Sequence, residues 1–235
     1  MERLDKVISH MSGAGRREAK EMVRQGRVTV GGATVTDAET KVDTAEVICL
    51  DGQILRVEEK TYLMLHKPGG ILTATEDKRQ KTVLDLLPRE YRNRGLSPVG
   101  RLDIDTEGLL FLTNDGELNH RLTSPKYQID KVYEAVVEGV LTPEDQSAFA
   151  EGIVLKDFTC LPAKLEILAE NRCRVTVQEG KFHQVKRMLG SLGKPVIYLK
   201  RLSVGPISLP VDLTKGNYRP LTKKEIETLR IVCHL

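Results

Sequence analysis

From residue 62 onward, strand-like and helical runs follow one another without regular alternation. "VYEAVVEG" (132–139), "KLEIL" (164–168), "CRVTVQ" (173–178) and "PVIYLKRLSVG" (195–205) have strand spacing and β-branched content. Helical signals are as many. They comprise "KTVLDLLP" (81–88), "PEDQSAFAEG" (143–152) with Thr142 as N-cap and Pro143 at the first helical position, and a stripe of Val185, Met188, Leu189 and Leu192 ended by Gly193. The last is the stretch after "RPLTKKEIETLR", where Thr222 and Glu225 stand at capping-box spacing. A doubly wound parallel sheet needs a crossover helix between successive strands. The spacing therefore predicts an α+β fold with a mixed, mainly antiparallel central sheet flanked by helices.

The first fifty residues follow a different pattern. Leu4, Val7, Ile8 and Met11 recur at i, i+3, i+4 and i+7, one apolar stripe of a short helix. A second helix follows "SGAG" and stops at Gly26, with Ala19, Met22 and Val23 inward and Arg16, Lys20, Arg24 and Arg27 along one outer side. "RVTVGGATV" is then two alternating runs about a Gly-Gly turn, a hairpin signal. "EVICL" and "QILRV" add two more strand-like runs. Charge and composition change around "RVEEKT", which places a linker near residues 56–61 and predicts two domains, 1–59 and 60–235.

A net charge of +3 implies no nucleic-acid partner by itself, but it is unevenly distributed. Residues 1–30 hold seven Lys/Arg against four Asp/Glu, and residues 178–201 hold six against one. Cys49, Cys160, Cys173 and Cys233 are far apart, form no CxxC and do not combine with the five histidines at zinc-ligand spacing, so free thiols and no metal site are expected. No run approaches the roughly 18 apolar residues that cross a bilayer, and the N-terminus has no signal-peptide pattern. The expected location is cytoplasmic, without membrane contact.

Chemistry concentrates in "GRLDIDTEGLLFLTNDG" (100–116), where Asp103, Asp105 and Glu107 follow Arg101. Counted from Asp103 as a calcium loop, Gly108 falls correctly at position six. Position twelve is Asn114, which lacks the bidentate carboxylate. "DIDT" also matches the signature of phosphatases that form an aspartyl-phosphate, but the parallel-sheet setting of those enzymes is missing. Two carboxylates flanking a sugar bond would suit a glycosidase, yet the chain has no tryptophan and four phenylalanines, a poor basis for a carbohydrate cleft. The remaining reading is a single nucleophilic carboxylate, Asp103. Desolvation drives an isolated carboxylate toward its neutral acid and an adjacent cation reverses this, so that reading calls for a basic neighbour. "EGKFHQVKRMLG" (179–190) offers candidates.

The residues around Asp103 closely resemble the central motif of the pseudouridine synthases, in the ribosomal small-subunit (RsuA) branch. "HKPGG" (66–70), "TVLDLLP" (82–88), "KVYEAVVEG" (131–139), "EGKFHQVKRM" (179–188), "LKRLSVG" (199–205) and "YRPLT" (218–222) stand in the order of that family. The front of the chain, above all Arg16 to Gly31, resembles the S4 RNA-binding module. One departure is Glu107, where many relatives carry a small residue.

The resemblance implies an isomerase that detaches uracil from ribose within RNA, turns the base and rejoins it through carbon, without cofactor or metal. It places the nucleophile at Asp103, by attack on the anomeric carbon, attack on the ring, or a glycal route. It sets Tyr133 against the flipped uracil and makes Lys186, rather than Arg187, the basic partner of Asp103. Arg101 is expected to fill the gap left by the flipped base. A base must leave its stack before a side chain reaches the sugar bond, and phosphate contacts offset that cost. Arg3, Arg16, Arg17, Lys20, Arg24, Lys181, Arg187 and Arg201, with His183 and Gln184, are the expected RNA contacts. Asp105 and Glu107 are expected to bond loop amides, and His66 and Lys67 to shape the pocket wall. The expected partner is 16S ribosomal RNA in a partly assembled small subunit, met by a monomer. The chain ends soon after "YRPLT", without the basic tail common in large-subunit relatives. A 23S rRNA enzyme of the same family and a non-catalytic ribosome-assembly protein are the alternatives.

Overall fold

The computed structural model describes residues 1–43, 46–55 and 60–235. Most of the expected linker, residues 56–59, lies outside the described residues. Two compact units emerge, one of residues 1–61 with 84–97, the other of residues 62–83 with 98–235.

In the first unit, helices α1 (Leu4–Ser12) and α2 (Arg16–Arg24) pack on a small antiparallel sheet. The sheet comprises β1 (Val28–Val30), β2 (Ala33–Thr34), β3 (Ile48–Leu50) and β4 (Gln53–Leu55), in the order β2-β1-β3-β4. The core joins the apolar stripes of both helices, including Leu4, Ile8, Ala19 and Val23, to Val28 and Ile48 of the sheet. Gly31 and Gly32 both take positive φ (57° and 85°), which the β1–β2 turn requires. These elements match the spacing read from the sequence.

The second unit is built on β5 (Tyr62–Lys67), β6 (Glu107–Thr113), β7 (Lys131–Val137), β8 (Lys164–Ala169), β9 (Arg172–Val177), β10 (Val196–Val204) and β11 (Tyr218–Pro220). They lie side by side as β8-β9-β7-β10-β6-β5-β11. Neighbours are antiparallel except β10 and β6, which run parallel with Lys200 opposite Glu107 and Arg201 opposite Gly108. The sheet is thus mixed and mainly antiparallel, as the missing βα alternation predicts. Gly108 is obligatory at the parallel seam. Its φ is 111°, and a Cβ there would lie 2.2 Å from the Arg201 carbonyl oxygen.

Helices α3 (Gly116–Thr123), α4 (Pro143–Glu151), α5 (Gln184–Ser191) and α6 (Lys223–Val232) complete this unit. Thr142 with Asp145 and Thr222 with Glu225 form the N-terminal capping boxes of α4 and α6. The sequence reading did not include α3, whose N-cap is the buried Asp115, bonded to the Leu118 amide at 3.3 Å and to the Tyr62 hydroxyl at 2.8 Å. "KTVLDLLP" forms only a 3₁₀ turn, Val83–Leu86. Pro88 follows two residues later, too close for an α-helix to develop. Among the described residues no helix is long and apolar enough to cross a membrane.

Candidate active site

Asp103 lies in the turn that leads into β6, and the turn is held from beneath by a buried lysine. Lys67, at the end of β5, has no solvent exposure. Its Nζ lies 3.0 Å from the Pro68 carbonyl oxygen, 3.1 Å from those of Asp103 and Ile104, and 2.8 Å from that of Thr106. An ammonium has three N–H bonds, so four carbonyls at these distances share them. Burial pushes Lys67 down to about 8, with the carboxylates of Asp105, Asp103 and Glu107 pulling the other way, so the group is still an ammonium at neutral pH. The Thr73 hydroxyl donates to the Leu102 carbonyl at 2.7 Å, and the Gly70 amide donates to that of Ile104 at 2.7 Å. The backbone around Asp103 is therefore fixed by non-local donors.

The side chain of Asp103 is about a quarter exposed and meets two bases from the 179–190 segment. Lys186 Nζ, on α5, stands 3.3 Å from Oδ2, and His183 Nε2 stands 3.4 Å from Oδ1. Val185, Met188 and Leu189 bury one side of α5, which leaves Lys186 on the side toward the turn. His183 precedes the helix with φ 49°, in the left-handed region. Asp103 also lines a cleft with Arg101, Tyr133, Lys181 and His183. Tyr133 comes from β7, where residues 131, 133, 135 and 137 share the buried face. Its hydroxyl lies 3.5 Å from Arg201 Nη1.

Asp103 beside Lys186, with Tyr133 lining the same cleft, brings a carboxylate, an ammonium and an aromatic wall into one place. Comparisons with known proteins identify the family. The RNA pseudouridylate synthase model matches residues 61–191, and the S4 domain model matches residues 2–48. The chain belongs to the RNA pseudouridylate synthase family.

An uncharacterised RNA pseudouridine synthase of Bacillus subtilis is 42% identical over 233 residues, covering 97% of this chain and 98% of the relative. The ribosomal small subunit pseudouridine synthase A of Escherichia coli is 39% identical over 231 residues, covering 97% and 99%. A crystal structure of a pseudouridylate synthase superposes with a TM-score of 0.70 at 37% identity, over 97% of this chain and all of that one.

Several side chains of this pseudouridine synthase differ from the sequence reading. Arg201, expected to track phosphate, is 3% exposed. It lies in β10 between β7 and β6, where its Nε donates to the Leu109 carbonyl at 2.7 Å and Nη2 has no partner. Buried between two strands, it cannot meet an RNA backbone at the surface. Gln184, also expected on RNA, is buried. Its amide donates to Glu179 at 2.9 Å and its carbonyl accepts from the Lys181 amide at 3.1 Å, so it clasps the 179–184 loop.

Arg187 turns away from Asp103 to an ion pair with Asp157, which holds the guanidinium charged, and it lies 4.9 Å from the Phe158 ring centre. Asp105, expected only to bond amides, accepts from Lys186 at 2.5 Å, closer than Asp103 does. That contact holds the Asp105 carboxyl below its usual range. Glu107 accepts from the Gly69 amide, as expected of it; burial opposes its ionisation, yet Lys215 and the Tyr198 hydroxyl, each at 2.7 Å, keep its carboxyl low. His66 and Lys67 line no part of the cleft. His66 is buried with Nδ1 donating to the Leu213 carbonyl at 2.7 Å.

In the first unit Arg16, Arg17 and Arg24 are exposed, and no acid among the described residues pairs with them. Arg3, Arg16, Arg17 and Lys20 border one groove with Lys6 and Lys41. Arg3 is partly neutralised by Asp5 at 3.0 Å and Glu39 at 2.9 Å, and Arg27 by Asp51 at 2.6 Å. Cys160, Cys173 and Cys233 are buried free thiols and Cys49 is half-buried. Among the described residues no group of three or more His, Cys, Asp or Glu side chains is placed to hold a metal ion.

Proposed function

We propose that this RNA pseudouridine synthase isomerises one uridine of 16S ribosomal RNA, with the Asp103 carboxylate as nucleophile. The observation that carries the reading is the pairing of Asp103 with Lys186 at 3.3 Å in a cleft walled by Tyr133. Lys186 sets a positive charge beside the carboxylate, at 3.3 Å. Tyr133 lies against the flipped uracil and assists departure of the proton from C5. The N1–C1′ bond breaks, a C5–C1′ bond forms, and the C5 proton is replaced in balance by one gained at N1. The reaction is an isomerisation, so it needs no net oxidant or reductant. Arg101, exposed beside Asp103, enters the stack that the uridine leaves.

Residues 1–59 form the S4-like RNA-anchoring domain and residues 60–235 the catalytic domain. Arg16, Arg17, Lys20 and Arg24 supply phosphate contacts from α2, and Arg3, Lys181 and His183 add further contacts. The assignment to 16S rRNA draws support from the small-subunit enzyme of Escherichia coli, similar over nearly the whole of both chains. The substrate is a partly assembled small subunit in the cytoplasm, and the enzyme acts as a monomer.

Mapping pseudouridine in the 16S and 23S rRNA of partly assembled subunits treated with wild-type protein and with Asp103→Asn tests this. One new pseudouridine in 16S rRNA with wild type, and none with Asp103→Asn at fewfold-unchanged RNA affinity, is the expected result. Modification confined to 23S rRNA overturns the substrate assignment, and an active Asp103→Asn overturns the nucleophile.

A further inference from the structure

Phe182 is 70% exposed although the chain has only four phenylalanines. It does not stand alone, because its ring stacks on that of His183 with centroids 3.8 Å apart and planes 19° from parallel. The left-handed backbone at His183 turns that imidazole so that Nε2 reaches Asp103. The two rings thus form a short stack that begins at the proposed nucleophile and ends in solvent.

Beside the stack runs an open groove of about 460 Å³. Phe182 and Ile104, the latter 42% exposed, supply apolar surface, and Arg101 supplies positive charge together with Lys181, which is partly neutralised by Glu179 at 3.1 Å. Asp103, Arg101, Lys181 and His183 border both this groove and the cleft that holds Tyr133. The two depressions therefore share a wall. A chain whose one residue occupies the cleft passes its next residue into the groove.

An exposed aromatic ring flanked by cations matches the chemistry of single-stranded nucleic acid, whose bases present a flat π face and whose phosphates are anionic. We infer that Phe182 is the platform of a second nucleobase subsite, on which the unpaired nucleotide adjoining the target uridine stacks. This rests on the reading that the cleft takes a uridine of RNA. It adds that the enzyme requires at least two consecutive unstacked nucleotides, so a uridine whose neighbour is locked in a duplex is a poor substrate.

Single-stranded RNA heptamers with a central uridine and 2-aminopurine on its 5′ or 3′ side, titrated with the full-length protein, test the subsite. Stacking on an aromatic ring is expected to quench one of the two probes with wild type and with Phe182→Tyr, and not with Phe182→Ala. Replacing the base at that position by an abasic residue is expected to weaken wild-type binding about tenfold to a hundredfold and to leave Phe182→Ala unchanged. Equal binding and equal quenching by wild type and Phe182→Ala, or an abasic penalty of the same size in both, overturns the inference. Circular dichroism verifies that the exposed substitution leaves the fold intact. Pseudouridine formation on the 16S rRNA of a partly assembled small subunit reports separately on the underlying reading, so an inactive wild type with Phe182-dependent quenching sinks that reading and retains the subsite.

Discussion

The Lys186 ammonium is shared between two carboxylates, 3.3 Å from Asp103 and 2.5 Å from Asp105. Asp105 is the more exposed of the two acids, at 70% against 24%. The shorter contact is thus the more strongly screened by water.

The two acids are expected to respond differently to substitution. Removing Lys186 as Lys186→Met leaves Asp103 without its ammonium and is expected to lower kcat by about a hundredfold or more. Asp105→Asn leaves Lys186 to Asp103 alone and is expected to keep kcat within about tenfold of wild type. Single-turnover assays on partly assembled small subunits measure both. A larger loss for Asp105→Asn than for Lys186→Met would transfer the catalytic role to Asp105.

Lys67 is expected to act on the turn rather than on RNA. Lys67→Met withdraws the donor from four carbonyls, and buried acceptors left unpaired cost about 1–3 kcal/mol each before relaxation. The expected outcome is a destabilisation of roughly 3 kcal/mol in urea unfolding together with loss of activity. A stable, inactive Lys67→Met protein would instead assign the ammonium to the chemistry.

Glu225 carries an acid-stability prediction. Arg219 binds both of its oxygens, at 2.7 and 2.8 Å, and holds its pKa down to about 2, against 4.5 for an ordinary glutamate. A folded-state value below the unfolded one adds stability that is complete above the unfolded pKa and disappears as pH falls through the folded one. The contribution, on the order of 2 kcal/mol, is therefore lost between about pH 4.5 and pH 2. Glu225→Gln is expected to be less stable than wild type at pH 6 and to converge with it toward pH 2, as read by urea unfolding. Parallel curves across that range would show that the pair contributes no pH-linked stability.

The exposed cations of α2 predict a salt effect. Arg16→Ala combined with Arg24→Ala is expected to weaken RNA binding and to reduce the slope of log K against log salt by about 1 to 2, at roughly 0.7–0.9 per phosphate contact. Filter binding at several salt concentrations measures it. An unchanged slope means that this face touches no phosphate.

Local signals were legible because their causes lie within a few residues. The stripe Leu4, Val7, Ile8 and Met11, the Gly31-Gly32 turn, the N-cap at Thr142 and the capping box at Thr222 act over one turn of chain, and each forms where the spacing places it. The fates of the cations were less legible. Arg201 and Lys181 both read as surface charges, yet one is enclosed by strands on both sides and the other lines the cleft. Lys67 in "HKPGG" gives no local sign of the four carbonyls that surround it, three of which belong to residues far along the chain.

The sequence by itself determined most element types, though not α3 or the 3₁₀ turn at Val83–Leu86, together with the basic character of α2 and of the 179–190 segment and the presence of an aspartate in a turn ahead of an apolar strand. Tertiary structure alone decided that His183 also meets Asp103 and that Asp105 shares Lys186 with it, that Arg201 faces Tyr133 from inside the sheet, and that Phe182 stands exposed at the groove. The physical reason is that helix and turn preferences are short-ranged, whereas the burial and pairing of a charge depend on which distant strands lie beside it.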